Sequence, residues 1–194
     1  RKNNSFLDIK ACFEMLTEEF PDSEFHFNRL KQDSRILLIT SSVPGEGKST
    51  ISSEIAKALS QKAKTVVVDC DLRKPRLTSL FNIPESTQGM SELLIGIVQS
   101  CSIYRPPQYP ELTVVPSGRK IGTADELLTS PILGEIVQQL SSEFNYVVVD
   151  SPPVQEGKDS ELLAKLADEI IYLVNPSVAS ETDISSNISN LAKS

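Results

Sequence analysis

The chain has no tryptophan, one histidine and three cysteines, and each shortage closes off a class of function. Its purely apolar stretches, such as Val66-Val67-Val68 and Ile170-Ile171-Tyr172-Leu173-Val174, are strand-sized and far below the roughly 20 residues of a bilayer-spanning helix. Cys12, Cys70 and Cys101 are odd in number and lack CxxC or His-rich spacing. Neither a disulfide framework nor a zinc site is indicated, and a reducing cytosol fits best. With His26 as the only histidine, most histidine triads and histidine metal sites are removed, and a surface or packing role is expected for it. Basic residues are also scarce: 19 Lys and Arg face 26 Asp and Glu, a formal charge of −7. A broad phosphate-contacting surface depends on clustered Lys and Arg, so nucleic acid is not an expected partner. The chain begins at Arg1 and shows no signal peptide, the expectation for a fragment of a longer protein.

The 194 residues suffice for one well-buried domain, and 39% apolar with 23% charged residues match an ordinary globular protein. Phe6, Ile9, Phe13, Leu16 and Phe20 recur at steps of three and four, which predicts an amphipathic helix. Pro21 and Asp22 end it, and the polar segment to Asp33 reads as a connection. From there short apolar runs alternate with helix-like stretches. The runs are Arg35 to Thr40, Thr65 to Val68, Leu112 to Val115, Tyr146 to Val149 and Glu169 to Val174. Helices are predicted at about Lys48 to Gln61, Gly89 to Ile97, Ala124 to Phe144 and Asp159 to Ala167, and the polar end from Asn187 to Ser194 reads as a further helix. This alternation predicts a doubly wound α/β domain, a mostly parallel sheet with helices on both faces. The division expected is an N-terminal helix and connection over 1–33 and a nucleotide-binding core over 34–194. Ligands of such sheets sit at the carboxyl ends of the strands.

Three strand ends carry chemistry. After Ile36-Leu37-Leu38-Ile39 comes Ser42-Val43-Pro44-Gly45-Glu46-Gly47-Lys48-Ser49-Thr50, with a helix at once behind it. This is a phosphate-binding loop in its strand-loop-helix setting, with Ser42 in place of the usual first glycine. The loop from Pro44 to Thr50 is expected to bind the nucleotide, its backbone N–H groups from Gly45 onward and the positive end of the helix facing the phosphates. Lys48 supplies a point charge and Ser49 a hydroxyl for Mg²⁺, so ATP with Mg²⁺ is the expected ligand. After Val66-Val67-Val68 comes Asp69-Cys70-Asp71-Leu72-Arg73-Lys74-Pro75-Arg76, whose two carboxylates suit a metal or an attacking hydroxyl. After Tyr146-Val147-Val148-Val149 comes Asp150-Ser151-Pro152-Pro153, a Walker B arrangement in which the carboxylate holds Mg²⁺ directly or through water.

Taken in order, these motifs resemble the bacterial tyrosine kinases, or BY-kinases, the cytoplasmic domains of capsular and exopolysaccharide chain-length regulators. The similarity runs from about Phe6 to Val174. It implies a P-loop fold of the deviant-Walker type, with Lys48 and Ser49 in Walker A, Asp69 and Asp71 in Walker A′ and Asp150 in Walker B. By resemblance Ser49, Asp71 and Asp150 organise Mg²⁺, and Asp69 or Asp71 receives the proton of a tyrosine hydroxyl. Arg73, Pro75, Arg76, Glu126-Leu127-Leu128, Asp159 and Ala167-Asp168 also resemble family positions.

The departures are specific. Where the family often carries Glu-x-x-Arg-x-x-Arg on the first helix, linked to ring-shaped oligomers, this chain has Ala11, Glu14 and Thr17. Thr123-Ala124 replaces an Asn-Pro pair, and Asn175-Pro176-Ser177 lacks a frequent basic residue. The acceptor tyrosine cluster is missing: the four tyrosines are Tyr104, Tyr109, Tyr146 and Tyr172, the last two on predicted core strands. The resemblance implies an ATP-dependent tyrosine autokinase at the cytoplasmic face of the bacterial plasma membrane. Its implied partners are its own transmembrane chain-length domain or a separate membrane adaptor, and the tyrosine-bearing tail of itself or a neighbour. A nucleotide-sensing regulatory module with little kinase activity is the alternative. A partitioning-type ATPase ranks behind both, because Ser41 to Gly45 holds no second lysine.

Overall fold

The structure, a computed structural model, describes residues 24–27, 36–98, 102–120, 122, 124–175 and 181–191. The expected first helix, with Ala11, Glu14 and Thr17, lies outside them, as do Cys12, Cys101, Thr123, Pro176 and Ser177. Six strands form one sheet: β1 Glu24–Phe27, β2 Ile36–Ser41, β3 Thr65–Asp69, β4 Leu112–Val115, β5 Tyr146–Asp150 and β6 Glu169–Val174, in the spatial order β1-β6-β2-β5-β3-β4. The five predicted strands are present and mutually parallel. The connection expected up to Asp33 is corrected at one point. Glu24–Phe27 pairs antiparallel with β6, His26 opposite Tyr172, and the alternating Glu-Phe-His-Phe pattern, too short to stand out, suits an edge strand.

The central strands are apolar at nearly every position because both faces are covered. On one face Leu37, Ile39, Val67, Val114, Val148 and Ile171 pack against Ile51, Ile55 and Leu59 of helix α1, Lys48–Ser60. On the other, Leu38, Val66, Val68, Val147 and Val149 share a core with residues of α3 Met90–Leu94, α5 Pro131–Glu143 and α6 Asp159–Ala164. A short α2, Leu77–Leu80, follows the β3 motif, and α7, Glu181–Leu191, packs Leu191 into the second core. The predicted helix over Ala124 to Phe144 is two helices, α4 Ala124–Leu128 and α5. Proline lacks the N–H that a helix interior needs but suits the first turn; Pro131 accordingly starts α5, and the Ser130 hydroxyl accepts from Ile132 N at 3.3 Å.

A polar knot ties α3 to the loop after β4. The buried Glu92 carboxylate accepts from Gly89 N (2.8 Å), Ser91 Oγ (3.0 Å) and Arg119 N (3.1 Å). A side chain at Gly89 would sit 2.0 Å from Pro116 O, so only glycine allows this approach. Burial opposes ionisation of Glu92, but the Gly89, Arg119 and Ser91 hydrogen bonds outweigh it and hold the carboxyl below its ordinary range. A depressed carboxyl pKa contributes stability above the unfolded value and loses it as pH falls through the folded one. Glu92→Ala strands two backbone N–H groups and is expected to cost about 2–3 kcal/mol near neutral pH. Urea unfolding at neutral and acidic pH checks this, and the difference from wild type should narrow in acid.

Candidate nucleotide and metal site

The strand register brings the three motifs together. β5 lies between β2 and β3, with Ile39 opposite Asp150 and Asp150 opposite Asp69. The loops leaving these three strands therefore emerge side by side at their carboxyl ends. Gly45 and Gly47 hold φ of +89° and +88°, left-handed backbone that glycine adopts without strain. Through them the chain turns from β2 into the first turn of α1, whose amino end faces the loop.

A cleft of about 360 Å³ lies there, lined by Pro44, Gly45, Gly47, Lys48, Ser49, Thr50, Asp71, Lys74, Arg76, Leu80, Pro153 and Glu156. Six of the seven loop residues expected to bind nucleotide line it, with Asp71. The seventh, Glu46, is committed elsewhere: its carboxylate accepts from Val43 N at 2.9 Å and Asn175 N at 2.8 Å, bracing the loop against the end of β6. Any part for Glu46 in binding falls to its backbone. Asp150 lies at the end of β5, fully buried, one oxygen accepting from Ser52 Oγ at 3.0 Å and the other without a hydrogen-bond partner. Asp69 is also fully buried and does not line the cleft; it accepts from Asp71 N (3.2 Å) and Leu77 N (3.1 Å), shaping the turn that presents Asp71.

A family model, AAA_31, described as an AAA domain, matches residues 34–193. Succinoglycan biosynthesis transport protein ExoP of Rhizobium meliloti is 34% identical over 73% of this chain and 18% of its own length. Tyrosine-protein kinase CpsD of Streptococcus agalactiae is 29% identical over 78% of this chain and 68% of its own length. The crystal structure of the VpsO kinase domain superposes with a TM-score of 0.80 at 29% identity, over 98% of this chain and 91% of that one. The chain belongs to the BY-kinase family, within AAA_31. It spans less than a fifth of ExoP, and no helix among the described residues is long and apolar enough to cross a membrane.

The electrostatics of this BY-kinase site are set by burial. Desolvation pushes the Asp150 carboxyl up to about 6, with Ser49, Lys48 and Ser52 pulling it back and Asp71 adding to the rise. Burial, then the charge of Asp150, raises Asp69 well above the usual carboxylate range. Lys48, itself buried, is lowered by desolvation although Asp150, Asp71, Glu46 and Glu156 favour its charge. The unpartnered Asp150 oxygen beside Ser49 suits a hard cation. Among the described residues, however, no three His, Cys, Asp or Glu side chains lie close enough together to hold a metal alone. That fits Mg²⁺, which commonly takes one or two protein oxygens and completes its shell with phosphate and water.

Several contributors were not singled out from sequence. Ser52, one turn beyond Lys48 on α1, bonds both Lys48 O (2.8 Å) and Asp150; the i, i+4 spacing was the available signal. Tyr172, read as a core residue, shares a 2.5 Å hydrogen bond with Ser42 Oγ and accepts from Asn187 Nδ2 at 3.1 Å. The serine at the first-glycine position thus anchors the loop to β6. Arg73 and Asp159, by contrast, were both named from the sequence, and the structure joins them: Arg73 reaches Asp159 Oδ2 at 2.6 Å and Glu156 O at 3.0 Å, tying the Walker A′ loop to the segment after Walker B.

The raised Asp150 has a consequence for folding. A folded pKa of about 6 above the ordinary 3.8 means the folded state keeps a proton that the unfolded chain has released, so stability falls as pH rises through that window. Asp150→Asn, a mimic of the protonated acid, is expected to stabilise the nucleotide-free, Mg²⁺-free protein by about 1–3 kcal/mol at about pH 7.5 and to leave it unchanged below about pH 4. Urea unfolding at both pH values checks it.

Proposed function

We propose that this chain is an MgATP-dependent protein-tyrosine kinase domain that regulates capsular or extracellular polysaccharide polymerisation and export. The observation that carries the proposal is the convergence of Lys48, Ser49 and Asp71 on one cleft, with the half-satisfied Asp150 carboxylate beside them. Relatives that share the motifs are called tyrosine-protein kinases, CpsD among them, and ExoP is called a succinoglycan biosynthesis transport protein.

In this reading the loop N–H groups and Lys48 hold the triphosphate, and Ser49 and Asp150, with Asp71 alongside, hold the metal shell. A Mg²⁺ ion held by these residues would supply charge neutralisation for the phosphoryl group in transfer. Asp71, the Walker A′ carboxylate that lines the cleft, receives the proton of the tyrosine hydroxyl. The tyrosine oxygen forms a bond to the γ-phosphorus as the bond to the bridging oxygen breaks, releasing ADP. Asp69 is a positioning residue, its carboxylate fixing Asp71 N and Leu77 N. Catalysis would rest on positioning and charge neutralisation. The chain would act at the cytoplasmic face of the plasma membrane beside a chain-length segment, fused or separate, as the single kinase domain of a larger assembly.

One observation favours the second reading, an ATP-binding regulatory module with little kinase activity. Among the tyrosines of this chain, Tyr146 and Tyr172 are buried, and Tyr104 and Tyr109 are half-buried against the first core. A kinase reading is best served by an acceptor on another chain or segment. Incubation with γ-labelled ATP, Mg²⁺ and a tyrosine-containing peptide separates the two. We expect label on tyrosine, lowered at least about 100-fold by Lys48→Met. Nucleotide binding with no labelled tyrosine would leave the regulatory reading standing and remove the kinase one.

A further inference from the structure

Lys74 and Glu156 both line the cleft but have no part in the roles above. Lys74 follows Walker A′, and its backbone N–H donates to Asp71 Oδ1 at 3.0 Å, so its main chain is fixed next to the carboxylate proposed to meet the acceptor hydroxyl. Its side chain, by contrast, is 61% exposed. The Lys74 ammonium contacts one Glu156 carboxylate oxygen, and the other is buried without a hydrogen-bond partner. Glu156 ends the short 3₁₀ turn Val154–Glu156 after Walker B, and its backbone carbonyl is held by Arg73. The pair therefore joins two anchored backbones through one exposed lysine arm.

A carboxylate in a cleft suited to a polyanion repels the ligand unless a cation covers it. Glu156 is near enough for its charge to act on Lys48, which brings it into the field of the phosphate site. An ion pair as exposed as Lys74–Glu156 contributes little, whereas a charge-assisted bond from an ammonium to a doubly charged phosphate is among the stronger ones. The lysine has a better partner available whenever a terminal phosphate reaches the Asp71 end of the cleft.

We propose that Lys74 is a terminal-phosphate ligand that changes partner, held by Glu156 in the nucleotide-free protein and by the γ-phosphate in the triphosphate complex. The exchange makes the site discriminate a nucleoside triphosphate from a diphosphate, since the shorter ligand leaves Lys74 on Glu156. This inference rests on the nucleotide-binding reading of the cleft.

The test is isothermal titration with Mg²⁺ and either ADP or the non-hydrolysable β,γ-imido analogue of ATP, on wild type, K74M, K74R, E156Q and the double variant K74M/E156Q. We expect K74M to lose about tenfold in triphosphate affinity and to keep ADP affinity, the loss of about one charge-assisted bond. K74R should restore most of the preference. E156Q should strengthen triphosphate binding several-fold, and this gain should be at least about threefold larger in the wild-type background than in K74M, because part of it acts through the released lysine. The proposal is overturned if K74M keeps the wild-type ratio of triphosphate to diphosphate affinity, or if E156Q gives equal gains in both backgrounds, while wild type still binds nucleotide. If wild type binds neither nucleotide, the nucleotide reading fails and this inference falls with it.

Discussion

One buried carboxylate, Asp150, constrains most of what surrounds it. It ends a central strand with no exposure to solvent, and its register partner across the neighbouring strand is a second buried acid, Asp69. Two adjacent buried carboxylates cannot both ionise cheaply, and the structure answers with two different environments. Asp69 receives two backbone N–H groups yet stays high under burial and the charge of its neighbour. Asp150 receives Ser52 and faces Ser49 and Lys48, and settles near 6 with one oxygen unsatisfied. The unsatisfied carboxylate neighbours Ser49 and Lys48, which line the cleft, so a cation has reason to bind there. Stability is sacrificed at a place where binding can restore it.

The same unsatisfied carboxylate explains why the neighbouring loops are braced so heavily. A lysine as buried as Lys48 helps only if its loop cannot drift, and three unrelated contacts prevent drift. Ser42 is tied to Tyr172, Glu46 spans Val43 N and Asn175 N, and Ser52 clasps the first turn of α1 to Asp150. The exit of β5 is fixed independently. Ser151 bonds Ile39 O at 2.9 Å, while Thr40 and Ser160 both bond Pro152 O. The rigid core positions the carboxylates, and the charged side chains across the Walker A′ and Walker B loops, Arg73 with Asp159 and Lys74 with Glu156, join the outer rim. Exposure is concentrated in the lysine side chain rather than in the backbone around it.

Much of this was legible in the sequence, and what was not has a physical reason. Strands buried on both faces give continuous apolar runs, so the five parallel strands could be placed from Arg35 to Val174. The loop, Walker A′ and Walker B motifs end those strands and could be read with them. The edge strand Glu24–Phe27 was missed because four residues paired on one side leave almost no periodic signal. The break at Ser130-Pro131 was present in the residues, but the apolar spacing continues across it and masks the cap. That Asp71 lines the cleft while Asp69 is turned away from it was not legible at all. It depends on which carboxylate the turn folds inward, and that is decided by Leu77 N, eight residues away. The pairing of Glu156 with Lys74 was equally hidden, since it joins positions 82 residues apart whose only shared feature is that their strands are neighbours.

The arrangement of tyrosines bears on how such a site delivers its output. Tyr172 spends its hydroxyl on Ser42 and Asn187, and Tyr146 lies in the core. The Tyr104 backbone closes an isolated bridge to Val114, while the Tyr109 ring lies 6.0 Å from the Lys57 ammonium on the α1 face of the sheet. Bringing Tyr146 or Tyr172 to Asp71 would mean opening the core or the loop held by Ser42. Such openings cost a large part of a domain's marginal stability. A cleft at the carboxyl edge of the sheet, in a domain whose tyrosines are buried or half-buried, is suited to an acceptor that arrives from outside the folded core. Output would then depend on what is held near the cleft, so the same nucleotide chemistry could serve a kinase when a tyrosine is presented and a switch when none is.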